Sequence, residues 1–99
     1  MEMNIKTTGK VMEVYLEGRL DANTAPDLTE AVKDAQFEEL IIDLEKLEYI
    51  SSAGLRSLLV AKKTADACQG KLVLRHPTPA VYDVMNMSGF TRMLDIQED

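Results

Sequence analysis

Two short apolar blocks, Leu40-Ile41-Ile42-Asp43-Leu44 and Lys71-Leu72-Val73-Leu74-Arg75, flank a segment with helical spacing. This arrangement constrains the fold more than any other feature of the chain. Each block has strand length and is rich in branched apolar residues. Between them, Ser51-Ser52-Ala53-Gly54 opens a helix that runs to about Ala67. Leu55, Leu58, Leu59 and Ala65 fall on its inner side, and Arg56, Lys62, Lys63 and Asp66 face water. Gly70 ends the unit. Two strands joined through a helix lie parallel, with a right-handed crossover. Leu40 to Leu44 reads as a central strand buried on both faces, and Glu45 to Ile50 as a loop leading to the helix.

The flanking segments extend this unit on both sides. Met1, Met3 and Ile5 alternate with Glu2, Asn4 and Lys6. After a turn at Thr7-Thr8-Gly9-Lys10, Met12, Val14 and Leu16 alternate with Glu13 and Glu17. These two strands are expected to pair as an antiparallel hairpin. Thr24 is placed to cap a helix with Pro26 and Asp27 in its first turn and Leu28, Ala31, Val32 and Ala35 inward. Thr78-Pro79 opens another, with Val81, Val84 and Met85 inward and Gly89 as its stop. Leu94 and Ile96 suit a last edge strand. The order β-β-α-β-α-β-α-(β) gives an α/β fold. Its mixed four- to five-stranded sheet has an N-terminal antiparallel hairpin, then parallel strands, and about three helices pack on it. With 99 residues, the expectation is a single domain over 1–99.

Charge removes several classes of function. Eleven Lys and Arg against 17 Asp and Glu give a net charge of -6. Sequence-independent nucleic-acid binding needs clustered positive charge, and docking on an anionic membrane is disfavoured for the same reason. No stretch approaches the ~18 apolar residues of a membrane span, and no signal-peptide run opens the chain, so a cytoplasmic protein is expected. One cysteine and one histidine leave no disulfide framework and no Cys-rich or His-rich metal site. The glycines spell neither a P-loop nor a dinucleotide fingerprint, so no cofactor is expected. Cys68 reads as a buried inert thiol and His76 as a loop histidine. Glu38, Glu39, Asp43, Glu45 and Glu48 read as a solvated acidic rim. Met12, Met85, Met87 and Met93 read as core filler.

Ser51-Ser52 is the one place where chemistry is concentrated. It follows a parallel strand and opens a helix, and open α/β sheets bind ligands at that edge. Two readings stand side by side. A serine there caps the helix by accepting a hydrogen bond from a free N–H. A phosphoryl group there meets the favourable field of the helix start and adds about -1.5 to -2 charges. Ala53-Gly54 favours the second reading, because small residues leave the helix end open to another surface.

Ile41-Ile42-Asp43-Leu44 followed by Tyr49-Ile50-Ser51-Ser52-Ala53-Gly54-Leu55-Arg56 resembles the signature of STAS domains, and within those of bacterial anti-sigma factor antagonists. Leu16-Glu17-Gly18-Arg19-Leu20-Asp21-Ala22-Asn23-Thr24-Ala25 and Val84-Met85-Asn86-Met87-Ser88-Gly89-Phe90 are similar to two further family segments, in the right order. The resemblance implies the STAS fold and a binding module that catalyses nothing. It implies a partner, an anti-sigma factor with GHKL-type serine kinase activity, which phosphorylates its antagonist and so makes it let go. A metal-dependent Ser/Thr phosphatase would restore the active form. By position the phosphoacceptor is Ser52, with Ser51 the second candidate. The partner surface would comprise Asp21, Asn23, Thr24, Ser51, Ser52, Ala53, Gly54, Leu55 and Arg56. The best-known members carry Asp where this chain has Ser51, and Ser or Thr where it has Ala53. Two other functions remain at this point. One is a STAS subunit making a constitutive contact in a lipid-transport or signalling assembly, through the helix face of Arg56 and Lys63. The other is an enzyme using Ser52 as nucleophile.

Overall fold

A computed structural model describes residues 1–97. Five strands, β1 (Glu2–Thr8), β2 (Val11–Leu20), β3 (Glu39–Ile50), β4 (Lys71–Arg75) and β5 (Asp95–Gln97), form one sheet in sequence order. β1 and β2 make the antiparallel hairpin, and every later neighbour is parallel. Helices α1 (Ala25–Val32), α2 (Ser52–Ala67), α3 (Pro79–Met87) and the short α4 (Phe90–Met93) lie in the connections. No helix among the described residues is long and apolar enough to cross a membrane.

Strand order explains the layering. Each right-handed crossover moves one position in the same direction, so the helices accumulate on one face of the sheet. That face carries Met12, Val14, Leu16, Leu40, Ile42, Leu44, Leu72 and Leu74, all buried against helix residues such as Leu28, Val32, Leu58, Ala61, Val81 and Met85. The other face displays Glu13, Tyr15, Ile41 and Arg75, all partly exposed, beside the buried Asp43 and Val73. The expectation that Leu40 to Leu44 is covered on both faces is therefore corrected: an apolar layer covers one face only.

β3 also corrects the expected loop at Glu45 to Ile50, which is strand throughout. Beyond Leu44 the buried residues are Leu47 and Ile50, three apart, where a strand alternates by two. Register shifts between Tyr15 and Glu17, and between Gly18 and Arg19, supply the difference. At each, β3 carries one more residue than β2 and the bulge returns the next apolar side chain to the core.

Other corrections are local. α1 ends at Val32, so Ala35 lies outside it. Phe90–Met93 adds a fourth helical element after Gly89, whose φ of 78° suits the stop expected there. Met12 and Met85 are buried, but Met87 is 85% exposed and Met93 is exposed too, so neither fills the core. Leu59 and Cys68 are half-buried, the thiol lying 3.5 Å from the Ala65 carbonyl.

Candidate functional site

The carboxyl end of β3 runs directly into α2, and the two serines at the junction have different surroundings. Ser51 is extended, with φ -97° and ψ 177°, and its Oγ accepts from the Gly54 N–H at 3.2 Å. It is the N-cap, and its carbonyl accepts from Leu55 N–H at 2.8 Å. Ser52, one residue on, is exposed, and its hydroxyl makes no hydrogen bond to any described residue. The two readings of the Ser-Ser pair thus separate by residue: Ser51 is occupied as a cap and Ser52 is free.

The last residue of β2, just before the loop to α1, packs against this helix start. Leu20 carbonyl accepts from Ser51 N–H at 2.9 Å. Gly54 is what permits the approach, since a Cβ there would sit 2.4 Å from Leu20 O and 2.8 Å from Ile50 Cγ1. Gly54 is buried against its own chain and Leu55 is buried in the core. The idea that small residues leave the helix end open is therefore corrected at Gly54. Of the nine residues proposed for the partner surface, Gly54 and Leu55 are closed off from it.

Asp21 and Thr24 organise the loop. The Asp21 carboxylate accepts from the N–H groups of Asn23 at 3.0 Å and Thr24 at 3.3 Å, a local turn. Thr24 occupies the cap position of α1, but its hydroxyl does not cap. It donates to Arg19 carbonyl at 2.9 Å and accepts from Asp21 N–H at 2.9 Å. Asn23 and Arg56 are exposed, and Ala53 is half-buried.

Two features near Ser52 were missed from sequence. The guanidinium of Arg19 lies 4.1 Å from the centre of the Tyr49 ring, and Tyr49 is 41% exposed. The bulged end of β3 turns this ring outward. A shallow groove between α1 and α2 is lined by Ala22, Ala25, Pro26, Ala53, Arg56 and Val60. Ala53, Arg56 and Val60 recur at i, i+3 and i+7, a signal that was available in the helical spacing.

The open face of the sheet holds a separate polar network. Arg75 donates through Nε to Asp43 Oδ2 and through Nη2 to Glu13 Oε2, both at 2.9 Å, and Tyr15 Oη donates to Glu13 at 2.8 Å. Asp43 is 6% exposed, so it belongs to this network and not to an acidic rim. The hydrogen bond from Tyr15, then that from Arg75, holds the Glu13 carboxyl below its ordinary value. Donation to Glu13 raises the Tyr15 hydroxyl, and the bond from Arg75 works against that rise. Burial opposes the charge on Arg75, and its bonds to Asp43, Glu13 and Tyr15 together outweigh that, pushing its pKa up. His76, at φ 56°, places Nδ1 3.4 Å from Asp43 Oδ2. Asp43, Glu45 and His76 bring ligand atoms within 4.8 Å of one another. A cation there would compete with Arg75 for Asp43.

Residues 2–99 match the STAS domain family. The chain is a STAS domain. It is 33% identical over 100 residues to BtrV of Bordetella bronchiseptica, provisionally described as an anti-sigma factor antagonist, with 97% of this chain and 85% of that one covered. It is 27% identical over 93 residues to the anti-sigma F factor antagonist of Paenibacillus polymyxa, covering 90% and 80%. Among solved structures, an anti-sigma factor antagonist from Mycobacterium paratuberculosis superposes with a TM-score of 0.81 at 25% identity, covering 99% and 86%. SpoIIAA, an anti-sigma factor antagonist, superposes in its unphosphorylated form with a TM-score of 0.79 at 18% identity, covering 99% and 88%. Phosphorylated SpoIIAA from Bacillus gives 0.69 at 20%, covering 96% and 90%. The STAS domain thus shares the hairpin-led mixed sheet of these proteins.

Proposed function

We propose that this STAS domain is an anti-sigma factor antagonist that binds an anti-sigma factor with GHKL-type serine kinase activity, frees a sigma factor, and is switched off by phosphorylation of Ser52. The observation that carries the proposal is the division of labour at the helix start. Ser51 is held as the cap, whereas Ser52 is exposed with an uncommitted hydroxyl. The relatives named as antagonists, and a SpoIIAA known in both phosphorylation states, support the same reading.

The chemistry of the switch is a phosphoryl transfer. Ser52 Oγ forms a bond to the γ-phosphorus of ATP held by the partner, the bond to the β,γ-bridging oxygen breaks, ADP leaves, and the hydroxyl proton passes to a basic group of the kinase. A metal-dependent Ser/Thr phosphatase reverses the state by hydrolysis. This domain supplies the acceptor and the surface, and no catalytic group. His76 is engaged with Asp43, which gives no support to Ser52 as an enzymatic nucleophile.

Converting a complex from 99% bound to 99% free needs about 5.5 kcal/mol of differential binding. Stranding one charged group in a buried interface costs about 2–5 kcal/mol or more. A dianion on Ser52 covers most of that range, and repulsion from a chain of net charge -6 adds to it where the partner surface is also acidic. The contact surface is assigned to Asn23, Ser52, Ala53, Arg56, the Arg19–Tyr49 pair and the groove between α1 and α2, with Asp21, Thr24 and Ser51 as its scaffold. Binding of Ser52→Ala and Ser52→Asp to the anti-sigma factor of the source organism tests it. Retention by the first and loss by the second is expected. Equal affinity would replace the switch with a constitutive contact.

A further inference from the structure

β1 forms one edge of the sheet, pairing with β2 through seven consecutive residues without a register shift, and its other side pairs with no strand among the described residues. Regular edges of this kind are usually protected by proline, a bulge or several lysines. The sequence of β1, Glu2-Met-Asn-Ile-Lys-Thr-Thr8, has no proline, and its two charges, Glu2 and Lys6, cancel. The whole chain carries -6, whereas β1 itself carries no net charge, so a second copy meets no net repulsion from this strand. Ile5 is 46% exposed here, on the same strand face as Met3.

We infer that β1 is a self-association surface on which a second copy of this chain pairs antiparallel about a two-fold axis through Asn4. In that register Glu2 faces Lys6 of the second copy, Met3 faces Ile5, and symmetry repeats each pair. The exposed Ile5 side chain gains an apolar neighbour and both charges gain a partner. Sliding by two residues sets Glu2 against Thr8 or against Asn4 and loses both ion pairs. Sliding by one opposes residues from different faces. The product is one sheet continuous across two domains. β2 separates the axis from β3 and α2, so both Ser52 sites stay open. A contact of one strand on one strand belongs with small, transient interfaces, below about 1,200 Å², so the dimer is concentration-dependent.

Sedimentation equilibrium from micromolar to millimolar protein tests this on the wild type, Glu2→Lys, Lys6→Glu and the double charge swap. The wild type is expected to dimerise reversibly. Each single variant, which opposes like charges twice, should weaken association by about tenfold, and the double swap should restore it. Glu2→Lys makes the chain less acidic, so general repulsion alone would strengthen association in that variant. A wild type that stays monomeric throughout, a Glu2→Lys that associates more tightly, or a double swap as weak as the single variants would each overturn the inference. None of these results depends on the phosphorylation of Ser52.

Discussion

Gly54→Ala offers a quantitative test of how the helix start is built. In an open helix the change would stabilise, because Ala is favoured over Gly by about 1 kcal/mol in a helix interior. Here the new Cβ would lie 2.4 Å from Leu20 O, 3.1 Å from Leu20 C and 2.8 Å from Ile50 Cγ1. Two of those atoms are backbone, and Leu20 O is already held by the Ser51 N–H at 2.9 Å. Overpacking costs about 1–3 kcal/mol, and losing that hydrogen bond about 0.5–1.5 kcal/mol. Against the propensity gain, the net is a loss of about 0.5–3.5 kcal/mol. For a domain of this size each kcal/mol moves Tm by about 4–8 °C. Thermal melts followed by circular dichroism should therefore show Gly54→Ala melting several degrees or more below the wild type. A Tm equal to or above the wild type would refute the close approach between the end of β2 and α2.

The two serines should respond differently to truncation. Ser51→Ala should cost about 1 kcal/mol through loss of the cap. Ser52→Ala should fall within about 0.5 kcal/mol of the wild type, as measured by urea unfolding of both. Glu13 predicts an acid dependence. Its carboxyl sits below the ordinary 4.5 when folded, so the stability it contributes is complete above the unfolded value and is lost as pH falls through the folded one. The urea midpoint of the wild type should fall more steeply below pH 4.5 than that of Glu13→Gln. Parallel curves would remove Glu13 from the account. Tyr49→Ala should weaken partner binding by about tenfold or more, as exposed Tyr–Arg anchors do, without altering the melt by more than a few degrees. Unchanged affinity in a titration would confine the ring to a structural role.

Much of the fold was legible because periodicity and packing agree. Met12, Val14 and Leu16 alternate in sequence and are buried together, and Leu40-Ile41-Ile42 against Leu72-Val73-Leu74 reads as parallel pairing. The end of β3 was not legible, because Leu44, Leu47 and Ile50 keep a three-residue spacing that only bulges reconcile with a strand. Asp43 looked like one more surface carboxylate, since its partner Arg75 lies 32 residues away in sequence and meets it only through the β3–β4 register. Helix positions beyond the main core misled in the same way. Met87 and Met93 are apolar residues on short C-terminal helices that do not turn them inward. At the site, the resemblance put Ser52 first and Ser51 second, and what the sequence did not show is the backbone geometry that gives the two different surroundings. The extended Ser51 points its oxygen back at Gly54 N–H, and the next residue, already helical, points away. The Arg19–Tyr49 stack was hidden for the same reason as the strand end, because it depends on which way the bulged residues face.

The central claim is that a phosphoryl group on Ser52 breaks a complex that the unmodified domain makes. The direct measurement is calorimetric titration of the source organism's anti-sigma factor with two forms of the domain, one unmodified and one carrying phosphoserine installed at position 52. The unmodified form should bind and the phosphorylated form should lose about 100-fold or more in affinity, that is about 2.8 kcal/mol or more at ten-fold per 1.4 kcal/mol. Equal dissociation constants for the two forms would contradict the account.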